Sequence, residues 1–487
     1  MKESLKNVES EQYEQFETEE IYDTTVQKKK KKSKLLLSPK KIIKTLLISF
    51  MLFCILIVLL NFLKSEKNFP KKISESQESK NVEKPLEKEK CGPGYKLVGN
   101  KCEIDHSIRA EYHTTKDDEK IYLIRFIPNF PMEMIIDGEK VATTKEYTFP
   151  KKGNHTVFIK AEFRKLTSAK RMFYQIKNMH YVAFTNLFDT QNILKMNNMF
   201  YECISLTSID LSYFNTQKVK TMELMFAGCN KLKELDLSHF DTKNVISYAN
   251  MFDSCTELTR INLSNFNTRI ANDLSFMFFG CESLTSINIT HFITGQVTTL
   301  ESMFKGCTSL TSINLSNFNT KNVISLSRMF ERCTSLKSID LSNFNTKKVT
   351  TISSMFFDCF SLESVNLKNF NTENVIAMNG LFHNCHSLTS VDINHFNTKN
   401  VENMNFMFYE CKSLTSLDIS NFNTDNLLYF ESMFQGCSSL KNININHFKT
   451  HNVSSMINLF QDCSFLTSLD ITNFDTSNAT NMKHMFL

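Results

Sequence analysis

The 487-residue chain has no tryptophan and only eleven glycines. So few glycines leave no Gly-rich loop to cradle a phosphate. A concentrated basic face is also missing where most of the chain lies. The formal net charge is +5. From Cys203 to the end, however, 20 Lys+Arg face 24 Asp+Glu, so this part carries 20 − 24 = −4. The basic excess sits in the first two hundred residues, which argues against nucleic acid as a partner of the larger part. A disulfide framework is lacking too, although there are fourteen cysteines. Cys54 lies in an apolar run and Cys91 and Cys102 form a local pair. The other eleven stand at 203, 229, 255 and onward to 463, always 26 apart, which marks a recurring structural position rather than a set of bridges.

Ahead of these cysteines the chain changes character several times. Residues 1–44 form a tail with a lysine run at Lys28 to Lys32, then Lys34, Lys40, Lys41 and Lys44. Thr45 to Leu63 is nineteen residues without a charge, close to the roughly 20 apolar residues that span a bilayer. Fewer lysines come after it, so the positive-inside rule predicts a single-pass plasma-membrane protein with a cytoplasmic N-terminus and everything after Leu63 outside. The lysine run beside this span suits anionic membrane lipid. The tail also holds "YEQF" (Tyr13 to Phe16), similar to a tyrosine-based sorting signal. Residues 64–90, rich in Lys, Glu and Ser, read as a solvated stalk. In 91–107, "CGPGYKLVGNKC" makes Cys91 and Cys102 a candidate disulfide. Residues 108–180 read as a small β-sandwich-like unit with a hairpin turn at Asp137-Gly138, placed to shield the N-terminal edge of a repeat array.

From 181 to 487 one sentence is repeated. Taking each cysteine as zero, Leu stands at +3, an aliphatic residue at +6 and +8, Phe at +11, Thr at +13, mostly Val at +16, Met or Leu at +22 and Phe at +23. The alternating first part predicts a strand. The second part steps by three and four, which predicts the apolar stripe of a short helix. A single coil cannot bury either stripe, but stacked coils can. The fold class expected is therefore an α/β solenoid of about eleven 26-residue strand-turn-helix coils. It should curve, because strands stack at about 4.8 Å and helices at about 8–10 Å. The periodic cysteines read as small buried thiols.

The words "MF-x-x-C-x-S-L-x-S-I-D-L-S-N-F-N-T-x-N-V", nearly intact at Met329 to Val349 and Met407 to Leu427, resemble the repeat of BspA-like leucine-rich repeat surface proteins. The likeness runs from about Phe188 to Phe486. It implies a leucine-rich-repeat horseshoe and adhesion to a protein or glycoprotein on a host, a matrix or a neighbouring cell. It transfers no ligand. The membrane anchor departs from many members of that family, which have a cleaved signal.

No enzyme is expected. His239, His291, His395 and His447 all sit at +10 but never in adjacent coils, so about 10 Å separates the nearest two. No catalytic, cofactor-binding or metal-binding residue is assigned, and no cofactor. Binding is expected on the concave strand face, where +5, +7, +9 and +10 project outward between buried positions. Candidates are Asn314, Asp340, Asn343, Asn366, Lys368 and Asp392, with Lys368 replacing the usual Ser at +9. Without tryptophan, and with few large aromatics on this face, each contact should be weak and affinity should come from many coils. Candidate glycosylation acceptors are Asn154, Asn452 and Asn478. The sequence ends at Met485-Phe486-Leu487, inside a coil, which gives the expectation of an end-to-end self-contact or a truncated gene. Two other readings stay open: a structural coat without a specific ligand, and a receptor signalling through Tyr13 and Tyr22.

Overall fold

The computed structural model describes residues 95–98 and 101–486. The chain divides into two units, Met1–Glu87 and Lys88–Leu487. The basic tail, the apolar stretch at 45–63 and the stalk lie outside the described residues.

Two short strands, β1 (Tyr95–Val98) and β2 (Lys101–Ile104), pair antiparallel. Next in the chain is a six-stranded sheet. It is built from β3 (Ile108–Thr114), β5 (Met132–Ile136), β6 (Glu139–Val141), β8 (Gly153–Ala161), β9 (Met179–Phe184) and β10 (Ser208–Asp210), in the order β10-β9-β3-β8-β5-β6. A separate pair, β4 (Glu119–Tyr122) and β7 (Glu146–Phe149), adds Ile121 and Phe149 to the same core. The unit is therefore one broad sheet with a small second layer. Asp137 (φ 49°) and Gly138 (φ 91°) make the turn between β5 and β6, the two left-handed residues that a tight hairpin requires. β10 already belongs to the first repeated coil and pairs parallel with β9. The sheet thus runs without a break into the array.

The array is a solenoid, but its coils are not strand-turn-helix. Among the described residues the only helical turn is the 3-10 segment Phe163–Lys165, outside the repeats. The stretch expected to be helical is a chain of consecutive turns. Between Leu326 and Cys333 the amides alternate in their use. Leu326, Arg328, Phe330 and Arg332 donate to Thr351, Ser353, Met355 and Phe357 of the next coil at 3.2, 3.0, 3.0 and 2.7 Å. Met329, Glu331 and Cys333 donate three residues back, to Leu326, Arg328 and Phe330, at 3.3, 3.1 and 3.0 Å. This alternation needs left-handed backbone at +21 and +25, and it is found at +21 in all eleven coils and at +25 in the ten from Gly228 to Asp462, as at Arg328 (φ 57°) and Arg332 (φ 60°). Such residues interrupt a right-handed helix, and the cross-coil bonds offset their strain. Gly takes +25 in four coils, among them Gly228, where an added Cβ would lie 3.1 Å from the Glu202 Cα.

The curvature expected from helix packing loses its cause. Phe at +23 forms a column from Phe173 to Phe486 whose rings stack 5.3–6.0 Å apart. That spacing falls well short of the roughly 8–10 Å between helix axes. Across the coil, three neighbouring pairs of +11 rings, Phe214–Phe240, Phe344–Phe370 and Phe370–Phe396, stack at 6.1–6.5 Å. The single-pass topology is corrected as well: no helix among the described residues is long and apolar enough to cross a membrane, and Thr45 to Leu63 is outside them.

Strand pairing continues as β11 (Glu234–Asp236) with β12 (Arg260–Asn262) and β13 (Ser338–Asp340) with β14 (Ser364–Asn366), each parallel. A second parallel ladder links the +18 residues from Ser168 through Ser325 and Thr351 to Tyr429. One buried core runs from Ile108 to Met485.

The threonine at +13 joins coil to coil. The buried Thr320 hydroxyl donates to the Asn345 carbonyl at 3.1 Å and accepts the Asn345 amide at 2.8 Å. Thr320→Val should leave both groups without a partner and destabilise the array by about 1–3 kcal/mol. Urea unfolding measures this. Ser312→Ala, at an exposed +5 position, should stay within about 0.5 kcal/mol.

Candidate functional site

The strand face is built by the same bonds that close each coil. At +7 the side-chain oxygen of Asp or Asn accepts the amide at +9. Asn314 does so from Ser316 at 3.0 Å, Asp340 from Ser342 at 2.9 Å and Asn366 from Lys368 at 3.2 Å. This is an Asx turn that ends the strand, and it explains why +7 is always Asp or Asn. The Ser342 amide holds the Asp340 carboxyl below the usual range. At +10, Asn reaches back one coil. Asn343 donates to the carbonyls of Leu315 and Phe318, both at 3.0 Å. His239, His291 and His395 put Nε2 2.7–3.1 Å from the +8 carbonyl of the preceding coil. The +10 row therefore tethers the stack.

The structure brings part of the expected site together. Asp340 and Asn366 are register partners on β13 and β14. Lys368 lines a shallow groove of about 280 Å³ with Asn369, Glu373 and His395. His395 Nδ1 lies 4.0 Å from Asp392 Oδ1. Asn314 stands on the same exposed row. Asn343 is on this face as well, but its amide is committed to the neighbouring coil.

Cys91 is outside the described residues, and Cys102 is placed on β2 opposite Leu97. Asn452 and Asn478 belong to a ladder at +15, donating Nδ2 to Asp425 and His451 of the preceding coil at 3.0 and 2.6 Å. Asn154 is exposed and its Oδ1 meets His113 Nδ1 at 2.8 Å.

Three arrangements escape a reading of the sequence. The first is the role of the periodic thiols. All eleven are free, and each donates to the Phe carbonyl of the preceding coil, as Cys333 does to Phe304 at 3.1 Å. Burial pushes Cys203 and Cys307 up to about 12. The second lies on the turn side, where Phe357, His383 and Tyr409 stack at 4.0 and 4.5 Å. Phe406 meets His383 edge-on. Burial lowers His383 to about 4, against the opposing pull of Asp358, whose Oδ1 is 3.9 Å away. Consecutive aromatics down +24 are the signal that marks this column. The third is in the β unit. There Asp137 Oδ2, His155 and Thr114 lie in line, 2.7 Å and 3.0 Å apart. Thr114 is buried and accepts the Gly153 amide at 3.1 Å, so this line locks a turn.

Strand ladders, inter-coil side-chain ladders and one continuous apolar core define a repeat solenoid of leucine-rich-repeat character. The chain matches the family described as "Mycoplasma protein of unknown function, DUF285" over residues 167–288, 272–390, 325–443 and 411–487, and it belongs to that family. The finer BspA-like name goes beyond this match. No curated protein matches the chain. Among solved structures it is similar to a TLR13-ssRNA13 complex, at 15% identity and a TM-score of 0.25, over 60% of this chain and 42% of that one. It is also similar to a leucine-rich repeat protein from Eubacterium ventriosum, at 13% identity and a TM-score of 0.28, over 63% of this chain and 90% of that one. The chain thus spans less than half the length of the first. At these scores neither likeness bears on ligand or mechanism.

Site-resolved iodoacetamide labelling of the native chain should leave Cys229 to Cys437 unmodified and label the half-buried Cys463 first among the repeat thiols; fast labelling of Cys333 would contradict the thiol ladder. His383 is depressed from 6.5 to about 4. As pH falls through that window the unfolded chain takes the proton first, so stability declines from about 6.5 and levels off below about 4. His383→Phe should remove that part of the pH dependence in thermal melts.

Proposed function

We propose that this chain is a binding protein, not an enzyme, and that its array recognises a protein or glycoprotein ligand through the strand-side rows, in the manner of an adhesin. The observation that carries the reading is the surface around Lys368. There the repeat's usual Ser is replaced, a groove opens, and Asp340, Asn366 and Asp392 stand exposed on adjoining coils. The Asp340 and Asn366 side chains are held by Asx turns over a packed core, so they lose little freedom on binding. Their small size makes single contacts weak, and several coils or several copies add up to useful affinity. The BspA-like resemblance supports an adhesive role.

The test is binding of the purified chain to immobilised host, matrix and neighbouring-cell proteins. Replacing Asp340, Asn366, Lys368 and Asp392 together with Ala should lower binding at least tenfold while the chain stays folded, its melting temperature falling only by what the lost Asx turns at Asp340 and Asn366 contribute. Replacing the turn-side Arg328 and Arg332 should leave binding unchanged. The reverse result moves the ligand to the turn side, and binding indifferent to both sets leaves the coat reading.

A further inference from the structure

The period breaks most sharply at the opposite edge of the strand-to-turn corner, in the coils that begin at Cys255 and Cys281. At +15 most coils carry Asn, which donates to the preceding coil's +14 carbonyl, as Asn244 does to Gln217 at 2.7 Å and Asn322 to Gly295 at 2.9 Å; Lys218 and Lys348 stand there too and instead reach Asn192 and Asn322 of the preceding coil, at 2.9 and 2.8 Å. Ile270 stands at +15 in the first broken coil and forfeits that bond. At +12, every coil but those with Ile293 and Lys449 carries Asn or Asp, which can accept the +14 amide, as Asn267 does from Arg269 and Asn319 from Lys321, at 3.1 and 3.3 Å. Ile293 stands there in the second and forfeits it. Both isoleucines gain no burial in exchange, being 43% and 48% exposed. Two hydrogen bonds are lost and two large apolar side chains face water, which nothing in the folding of the coil explains.

The break opens a groove of about 710 Å³ lined by Arg269, Ile270, Asn272, Ile293, Gly295, Gln296 and Lys321. Gly295 keeps it open. An added Cβ there would meet only Asn319 Nδ2, at 3.6 Å, so the backbone does not require glycine. The lining holds two cations and no carboxylate. Ile246 and Ile324, 45% and 51% exposed, extend the apolar surface. They sit at the two ends of a row bonded through Asn272 and Thr298.

We propose that this groove docks an extended protein segment bearing two carboxylates with an aliphatic side chain between them on the same face. Charge complementarity sets the occupant: Arg269 and Lys321 are two coils apart, on the order of 10 Å at strand spacing. Side chains of an extended strand alternate faces, so groups that enter one groove stand two residues apart; carboxylates four residues apart, with one aliphatic residue midway, span about 13 Å, within reach of the long Arg269 and Lys321 side chains. Ile270 and Ile293 lie between the cations and take the aliphatic side chain. A nucleic acid or a free anion meets the cations but leaves the isoleucines unused. The groove does not involve Asp340, Asn366, Lys368 or Asp392, so it stands or falls independently of the strand-face reading.

The test uses the full chain and a fluorescein-labelled peptide with a Glu-Ser-Ile-Ser-Glu core, read by fluorescence polarisation at low and high salt. Controls are Lys-Ser-Ile-Ser-Lys and Glu-Ser-Ser-Ser-Glu cores and a single-stranded RNA. The acidic-aliphatic peptide should bind at least tenfold tighter than every control and weaken with salt. Gly295→Gln, which restores a side chain that +14 carries at Gln217, should fill the groove and abolish binding. Ile270→Asn should weaken binding without lowering the melting temperature, since it restores the ladder residue. Arg269→Glu with Lys321→Glu should switch preference to the Lys-Ser-Ile-Ser-Lys peptide. Absence of binding, equal binding of Glu-Ser-Ser-Ser-Glu or RNA, or binding indifferent to Gly295→Gln overturns the proposal.

Discussion

The structure rests on the alternation of backbone amides along the turn side of each coil. One amide bonds within its own turn and the next bonds to the neighbouring coil, so every second donor is satisfied only by a stacked partner. A single coil would leave those donors orphaned as well as its apolar stripe exposed. Length constancy is a consequence, because one inserted residue would put the left-handed positions and the cross-coil carbonyls out of step. The phenylalanine column, the cysteine-to-carbonyl bonds and the threonine bridges all repeat at the interval that this ladder sets.

That ladder also decides what the surface offers. The side chains nearest the backbone at +10, +13 and +15 are spent on holding adjacent coils together, which removes Asn343, Asn452 and Asn478 from the polar groups free to meet a partner. The +5, +7 and +9 rows remain, with the few places where the repeat lapses. Departures from the period are informative because the ladder assigns a bond to each regular residue, so each departure has a countable loss.

Much of this is legible in the residues. Leu at +3, aliphatics at +8 and Phe at +11 and +23 read as core and are core before the last coil, and the aliphatics at +6 are buried or packed against it. Asp137-Gly138 reads as a hairpin turn and is one. The strand face at +7 reads as outward and is exposed. The helix is not decided by apolar spacing, because steps of three and four fit a stripe on a helix and also fit successive turns that bury one side chain each. The discriminating signal lies in the polar positions. Column +25 reads Gly228, Ser254, Gly280, Gly306, Asp358, Asn384 and Gly436 among its members, residues that favour turns and left-handed backbone. The expected curvature fails with the helix, since its cause is the helix diameter. Side-chain bonds between coils are invisible for a different reason: they depend on a register that only stacking defines.

The most direct measurement is the through-space proton contact pattern of one central coil by nuclear magnetic resonance. The account places the amides of Phe330 and Arg332 against the carbonyls of Met355 and Phe357, with left-handed backbone at Arg328 and Arg332. It therefore expects contacts from the Phe330 amide to the Met355–Phe356 segment and interrupted helical carbon shifts at those two arginines. An unbroken run of helical shifts and sequential amide contacts from Leu326 to Arg332, with no contact to the next coil, would contradict it.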